Sequence, residues 1–405
     1  MLKSTTALAV TRLLAFGAMG LTLASGATAA TYDKGASDEE IKFGTIVPLS
    51  GPASAYGSTG TCIAAYFDMV NDKGGINGRK ISVSVQDDGY NPAKMLEQAR
   101  RLVEREGVLF IAGNIGTPTN SAIHRYMNQR EVPHLFLTTG ASKWDDPENY
   151  PWTMPYIPSY AAEGRIYAKY IKDNMPDAKI GILYQNDDFG RDYMDAFIDQ
   201  LGDESMVVSK VSYDTSAATV DSQMSTLKES GADVFFNVSS PKFAAQAIRR
   251  AGEIGWTPTQ FLVSVSNAKS AVLEPAGLDH SNGIISTQYL KEPTNPAYAE
   301  DADVQAWKAF KADYFPKASE GNWWDWSCYS TAYTIEHVLT QAGDELTREN
   351  LMKVASNLDG FEAPMLLPGI TVNTAADDFA PIEAMSLMKF DGDNWALFGD
   401  VIAVD

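Results

Sequence analysis

Apolar and polar positions along the chain follow two rhythms. Short apolar runs read as strands, and longer stretches of helical period lie between them. The first run, Ile41–Val47, stops at Pro48 and opens a Ser-, Gly- and Ala-rich loop that reaches Gly57. A helix over about 59–71 follows and ends at Lys73-Gly74-Gly75, where glycine supplies a left-handed cap. A turn at 76–79 leads to a strand at 80–87. Asn91 caps the next helix with Pro92 at its first position. Met95, Leu96, Ala99, Leu102 and Val103 then recur at helical spacing until Gly107 ends it. Further strands are predicted at 108–112, 132–138, 179–184, 206–213, 234–238 and 260–265. A helix follows the loop 113–119 and runs to about 129; others are predicted at 161–174, 190–201, 220–230, 242–254, 298–314, 326–342 and 347–357.

Strands alternating with helices at this spacing make βαβ units. The fold class is therefore α/β, with mainly parallel sheets covered on both faces and right-handed crossovers. The rhythm restarts after the Pro- and aromatic-rich segment 150–160, which points to two α/β lobes. Elements beyond about 286 are too fragmentary for a third domain and are expected to complete the first two.

The chain start changes the picture first. Lys3 and Arg12 precede an apolar run from Leu13 to Ala24, and small residues at Ala27 and Ala29 fit a processing site. This reads as a secretory signal peptide over 1–29, cleaved near Ala29. A membrane anchor needs roughly 20 apolar residues, more than this run offers. The expected location is periplasmic. Without Lys3 and Arg12, 30 basic residues stand against 52 acidic ones, a net charge of −22. Nucleic-acid binding needs a basic surface and is disfavoured. A well-solvated monomer suits the charge better. The two cysteines, Cys62 and Cys328, fit either one disulfide or two buried thiols, and the residues alone leave both open.

Several motifs resemble the type I periplasmic binding proteins, and among them the Leu/Ile/Val-binding-like subunits of ABC transporters. They are Ile46–Pro52, Asn71–Arg79, Asp87-Asp88, Asp187–Gly190 and Arg249–Gly252, in that order over nearly all of the chain after residue 30. The resemblance implies two Rossmann-like lobes joined by a three-segment hinge, with crossings near 156–159, 284–288 and 362–368. Lobe I would take 39–157 plus 286–363, and lobe II 158–285 plus 364–405. It also implies a small-molecule ligand, a membrane permease as partner and no cofactor. The helices bearing Cys62 and Cys328 would share lobe I, which makes a disulfide between them an expectation.

Open α/β sheets bind ligands at the carboxyl ends of their strands. Tyr56 lies in the loop after the first strand. Asn114, Gly116 and Thr117 open a helix whose free N–H groups suit a carboxylate, and Thr138, Thr139, Gly140 and Ala141 follow the next strand. In the family, loops matching 114–117 and 138–141 hold the solute carboxylate; without it, the same Thr residues would read as turn and cap chemistry. From lobe II come Phe189, Ser239, Ser240 and Ser264. The amino-acid binders carry an acidic residue in that last loop for the ligand ammonium, whereas this chain has Ser264-Val265-Ser266-Asn267. An unpaired buried ammonium is costly, although Asp187 or Asp188 could substitute. Tyr56 and Trp144 suit a planar wall, while Trp323, Trp324 and Trp326 read as packing. The expected cargo is a small carboxylate lacking a free amine, aromatic ones included; a branched-chain or aromatic amino acid is the alternative.

An enzyme is disfavoured, because no nucleophile elbow, His-Glu-x-x-His or phosphate loop occurs. His124, His134, His280 and His337 are scattered, and carboxylate pairs such as Asp87-Asp88 more often cap helices. A sensory subunit that presents ligand to a receptor would use the same cleft.

Overall fold

A computed structural model describes Met1 and residues 30–403. The proposed signal peptide and its cleavage site lie outside these. Strand β1 (Thr31–Tyr32) pairs with the distant β12 (Glu345–Leu346). Lobe I is built on a five-stranded parallel sheet of order β3-β2-β4-β5-β6, from β2 (Glu40–Val47), β3 (Lys80–Asp87), β4 (Phe110–Ala112), β5 (His134–Leu137) and β6 (Thr153–Pro155). Helices α1 (Ser58–Asp72), α2 (Pro92–Arg100) and α3 (Thr117–Gln129) connect the first of these strands. Asn91 caps α2 by accepting from Ala93 and Lys94 N–H, and Gly107 at φ +69° ends its π-helical extension.

Lobe II starts with α4 (Tyr160–Asn174) and continues through β7 (Ile180–Gln185), α5 (Asp188–Leu201), β8 (Val207–Tyr213), α6 (Asp221–Glu229), β9 (Val234–Val238), α7 (Pro241–Glu253) and β10 (Thr259–Leu262). Two short helices, α8 (Glu274–Ala276) and α9 (Leu278–Ser281), precede β11 (Ile285–Gln288). The chain then returns to lobe I as α10 (Ala302–Tyr314), α11 (Trp324–Ala342) and α12 (Arg348–Ala355), and ends as the hairpin β13 (Ala384–Phe390) and β14 (Trp395–Ala403). The second sheet has seven strands, ordered β14-β13-β11-β10-β9-β7-β8, and β13 and β14 are its antiparallel members.

One strand bound near the cleft differs from the sequence reading, and two of the expected crossing segments take a definite form. The strand expected at 260–265 ends at Leu262, and Ser264–Ser266 form a 3-10 turn into the cleft. The segment at 284–288 is itself strand β11 of the second sheet. The stretch expected to cross at 362–368 pairs with the outgoing chain through Leu290 and Leu366 and then folds back on lobe I. There Thr374 Oγ1 bonds Ala355 O at 2.7 Å, and Phe379 N–H bonds Asp145 at 2.8 Å. The second sheet resumes only with β13.

Cys62 on α1 and Cys328 on α11 form a disulfide, with Cα atoms 6.1 Å apart. It joins two buried helices separated by 266 residues of chain. Replacing both cysteines by alanine is expected to cost about 2–5 kcal/mol, because a cross-link over so long a loop restricts the unfolded chain. Chemical denaturation of oxidised protein and variant checks this.

Candidate ligand-binding cleft

Loops following β2, β3, β4 and β5 of lobe I meet loops following β7 and β10 of lobe II around a closed cavity. Tyr56, Tyr90, Ile115, Gly116, Thr117, Thr138 and Trp324 line it from lobe I; Tyr160, Phe189 and Val265 line it from lobe II. Its free volume is about 10 Å³, the space of roughly one water. Anything larger than a water fits only if the lobes part or the rings move. Tyr56 meets Trp324 edge-on at 4.5 Å, and Phe189 meets Tyr160 edge-on at 5.3 Å.

The polar end of the cavity is the start of α3. Gly116 sits at φ +101° and no side chain caps the helix, whose first-turn N–H groups lack intrahelical acceptors. Thr117 and Thr139 hydroxyls share a 2.6 Å hydrogen bond. Thr138 Oγ1 is buried with no partner, a polar atom left for something else. No charged side chain is among the lining residues.

Of the residues singled out by sequence, Tyr56, Gly116, Thr117, Thr138 and Phe189 reach the cavity wall. The others do different work. Asn114 accepts from Ile46 N–H at 2.8 Å and contacts His134 at 3.1 Å, tying β2 to β5. Gly140 lets the hinge pass: a Cβ there would lie 2.1 Å from Pro158 O. Ala141 faces the outer side of the hinge beside Arg165. Ser240 N–H donates to Tyr213 Oη at 2.9 Å. Ser239 Oγ is buried without a partner but outside the wall. Trp144 is fully buried in the core, with its indole N–H toward Thr139. Conversely, Trp324, read as packing, lines the cavity. Tyr90 also does; the strand-end rule that picked the other loops would have found it after β3.

The carboxylates near the cleft are already engaged. Glu163 on α4 is 1% exposed. It accepts from Tyr167 Oη at 2.6 Å, Tyr193 Oη at 2.5 Å, Ser264 N at 2.7 Å and Ser264 Oγ at 2.7 Å. Four donors fill the roughly four acceptor sites of a carboxylate. Burial raises its pKa, against the pull of those donors. Asp187 caps α5 by accepting from Phe189 and Gly190 N–H, and takes a 2.6 Å bond from Gln185. Asp188 pairs with Lys143 across the cleft at 2.6 Å.

That ion pair is part of a clasp between the lobes. Ser142 N–H and Oγ donate to the two oxygens of Asp192 on α5 at 3.0 and 2.5 Å. On another flank, Ser270 N–H of lobe II donates to Gly321 O at 3.0 Å.

Asp88 differs from the other acids. It is fully buried, Oδ1 accepts from Tyr90 N–H at 2.9 Å, and Oδ2 has no partner. Burial pushes its pKa up to about 6. The folded state thus holds this proton more tightly than the unfolded chain, where the ordinary value is about 3.9. Its stabilising contribution is full below about pH 4 and is lost as pH rises through 6. Asp88→Asn should remove that loss and gain about 1–3 kcal/mol on wild type between pH 4 and pH 7. Urea unfolding at the two pH values reads it.

Comparison with known proteins agrees with this architecture. A family profile described as periplasmic binding protein matches residues 40–394. Leu/Ile/Val-binding protein homolog 8 of Brucella suis is 24% identical over 364 residues, covering 86% of this chain and 87% of the relative. A branched-chain amino acid ABC transporter protein from Thermus thermophilus, solved with bound valine, superposes with a TM-score of 0.79 at 13% identity, covering 90% of this chain and 97% of that one. A fatty acid ABC transporter substrate-binding protein from Thermomonospora curvata gives 0.73 at 18% identity, covering 93% and 95%. Among the described residues no helix is long and apolar enough to cross a membrane. The two-lobed fold and the profile match agree: the chain belongs to the extracytoplasmic type I periplasmic binding proteins, in the Leu/Ile/Val-binding-like group.

Proposed function

We propose that this protein is exported by a signal peptide cleaved near Ala29 and acts as the monomeric solute-binding subunit of an ABC uptake transporter. Its cargo is a small carboxylate without a free amine, aryl carboxylates foremost. The observation that carries this reading is the cavity wall, which holds aromatic rings and hydroxyls and no charged side chain. The solute carboxylate would lie at the start of α3, where backbone N–H groups and the helix dipole favour an anion. Thr138 Oγ1 supplies an unused hydroxyl there. Tyr56, Trp324, Tyr160 and Phe189 give the planar apolar surround. An ammonium group would find Glu163 saturated. Ligand contacts in both lobes then add to the Ser142–Asp192 and Lys143–Asp188 contacts, which favours the closed form for delivery to the permease.

One observation favours a second reading, an α-amino acid. Asp88 Oδ2 is buried and unpartnered close behind the cleft, and the Thermus thermophilus relative holds valine. Thermal shift separates the two. Benzoate and 4-hydroxybenzoate should raise the melting midpoint of the wild type and of Asp88→Asn alike, by several degrees at saturation. A strong shift with L-leucine, lost in Asp88→Asn, and none with the aryl acids would replace the first reading by the second.

A further inference from the structure

The loop between β3 and α2 carries the backbone strain nearest the cavity. Gly89 and Tyr90 follow one another in the left-handed region, at φ +56° and +59°. Glycine adopts it freely, whereas a bulky L-residue does not. Strain of this kind persists where the surroundings fix it, and it gathers at functional sites. Here the fixing is explicit. Asp87 accepts from Ser50 Oγ at 2.6 Å and from Gly89 N–H at 2.9 Å. Asp88 accepts from Tyr90 N–H at 2.9 Å, and its carbonyl accepts from Asn91 N–H at 3.0 Å.

The side chain this loop presents lies on the start of α3. A Cβ on Gly116 would sit 2.7 Å from Cε2 of the Tyr90 ring, so only glycine at 116 allows the ring to lie there. The ring forms part of the cavity wall and is 8% exposed.

We propose that Tyr90 is a specificity-determining residue: its strained backbone holds the ring over Gly116, where it occupies cavity space and sets the largest solute the closed cleft accepts. The inference rests on the cavity being the ligand site, and it is independent of whether the solute carries an amine. Tyr90→Gly removes both the ring and the strain. Tyr90→Phe keeps the ring and removes only the hydroxyl.

Calorimetric titration with two size-matched series tests it on the full mature chain. The series are benzoate against 2-naphthoate and L-leucine against L-tryptophan. In whichever series wild type binds, Tyr90→Gly should raise the affinity ratio of larger to smaller probe at least tenfold. Tyr90→Phe should leave the ratio within twofold. An unchanged ratio in a Tyr90→Gly protein that melts no lower than wild type overturns the proposal. So does a Tyr90→Phe ratio shifted as far as that of Tyr90→Gly. Binding confined to the amino-acid series would end the aryl-carboxylate reading and leave the Tyr90 ratio as the measure of this one. Failure of wild type and Tyr90→Gly to bind any of the four overturns both.

Discussion

The buried carboxylate of Glu163 ties together the parts of lobe II that face the cavity. It sits one turn into α4, directly after the hinge, and its four donors come from α4, α5 and the turn after β10. A carboxylate this deeply buried is tolerated only when its oxygens are hydrogen-bonded. The same bonds therefore fix the helix, the turn and the tyrosines relative to one another. Tyr193, held by Glu163, stacks at 4.5 Å on Tyr160, which lines the cavity. Ser264, also held by Glu163, begins the turn that brings Val265 to the wall. One acid thus shapes the lobe II side of the cavity while its own acceptor sites are filled.

The proposed recognition follows from that division of labour. Lobe I offers the anion-friendly start of α3, and lobe II offers rings whose positions are set from behind. The two faces touch directly through Lys143, Asp188, Ser142 and Asp192, so closure does not rest on the ligand alone. Exposed ion pairs contribute little each. The paired bonds from Ser142 to Asp192 have better geometry, and Asp192 is buried enough that its pKa is raised. In the proposed closure, contacts of a ligand with both lobes would add to these contacts between the lobes.

Much of the fold was legible because its strands are central and parallel, and read as unbroken apolar runs. β9 was located from the run Val234–Val238 and helix α2 from its Asn-Pro start. The hairpin β13–β14 was missed. β13 is buried on both faces apart from Lys389, and β14 is an edge strand, so neither shows clean alternation. The cleft loops were legible through the strand-end rule, which led to Thr117, Thr138 and Phe189. It could not separate Thr138, whose hydroxyl is free, from Asn114, whose side chain is spent on joining strands. Glu163 was invisible for a physical reason: it looks like an ordinary helix residue, and two of its donors lie 101 positions away on Ser264. Tyr90 lay within reach of the strand-end rule after β3, but its left-handed backbone is something no local preference for tyrosine announces.

The central claim is the proposed one that the cavity, whose wall holds no charged side chain, takes a solute without an ammonium group. The direct measurement is mass spectrometry of small molecules released by unfolding the protein purified from the compartment where it works. The account predicts a carboxylic acid without a primary amine, present at close to one equivalent. An α-amino acid at that stoichiometry would contradict it.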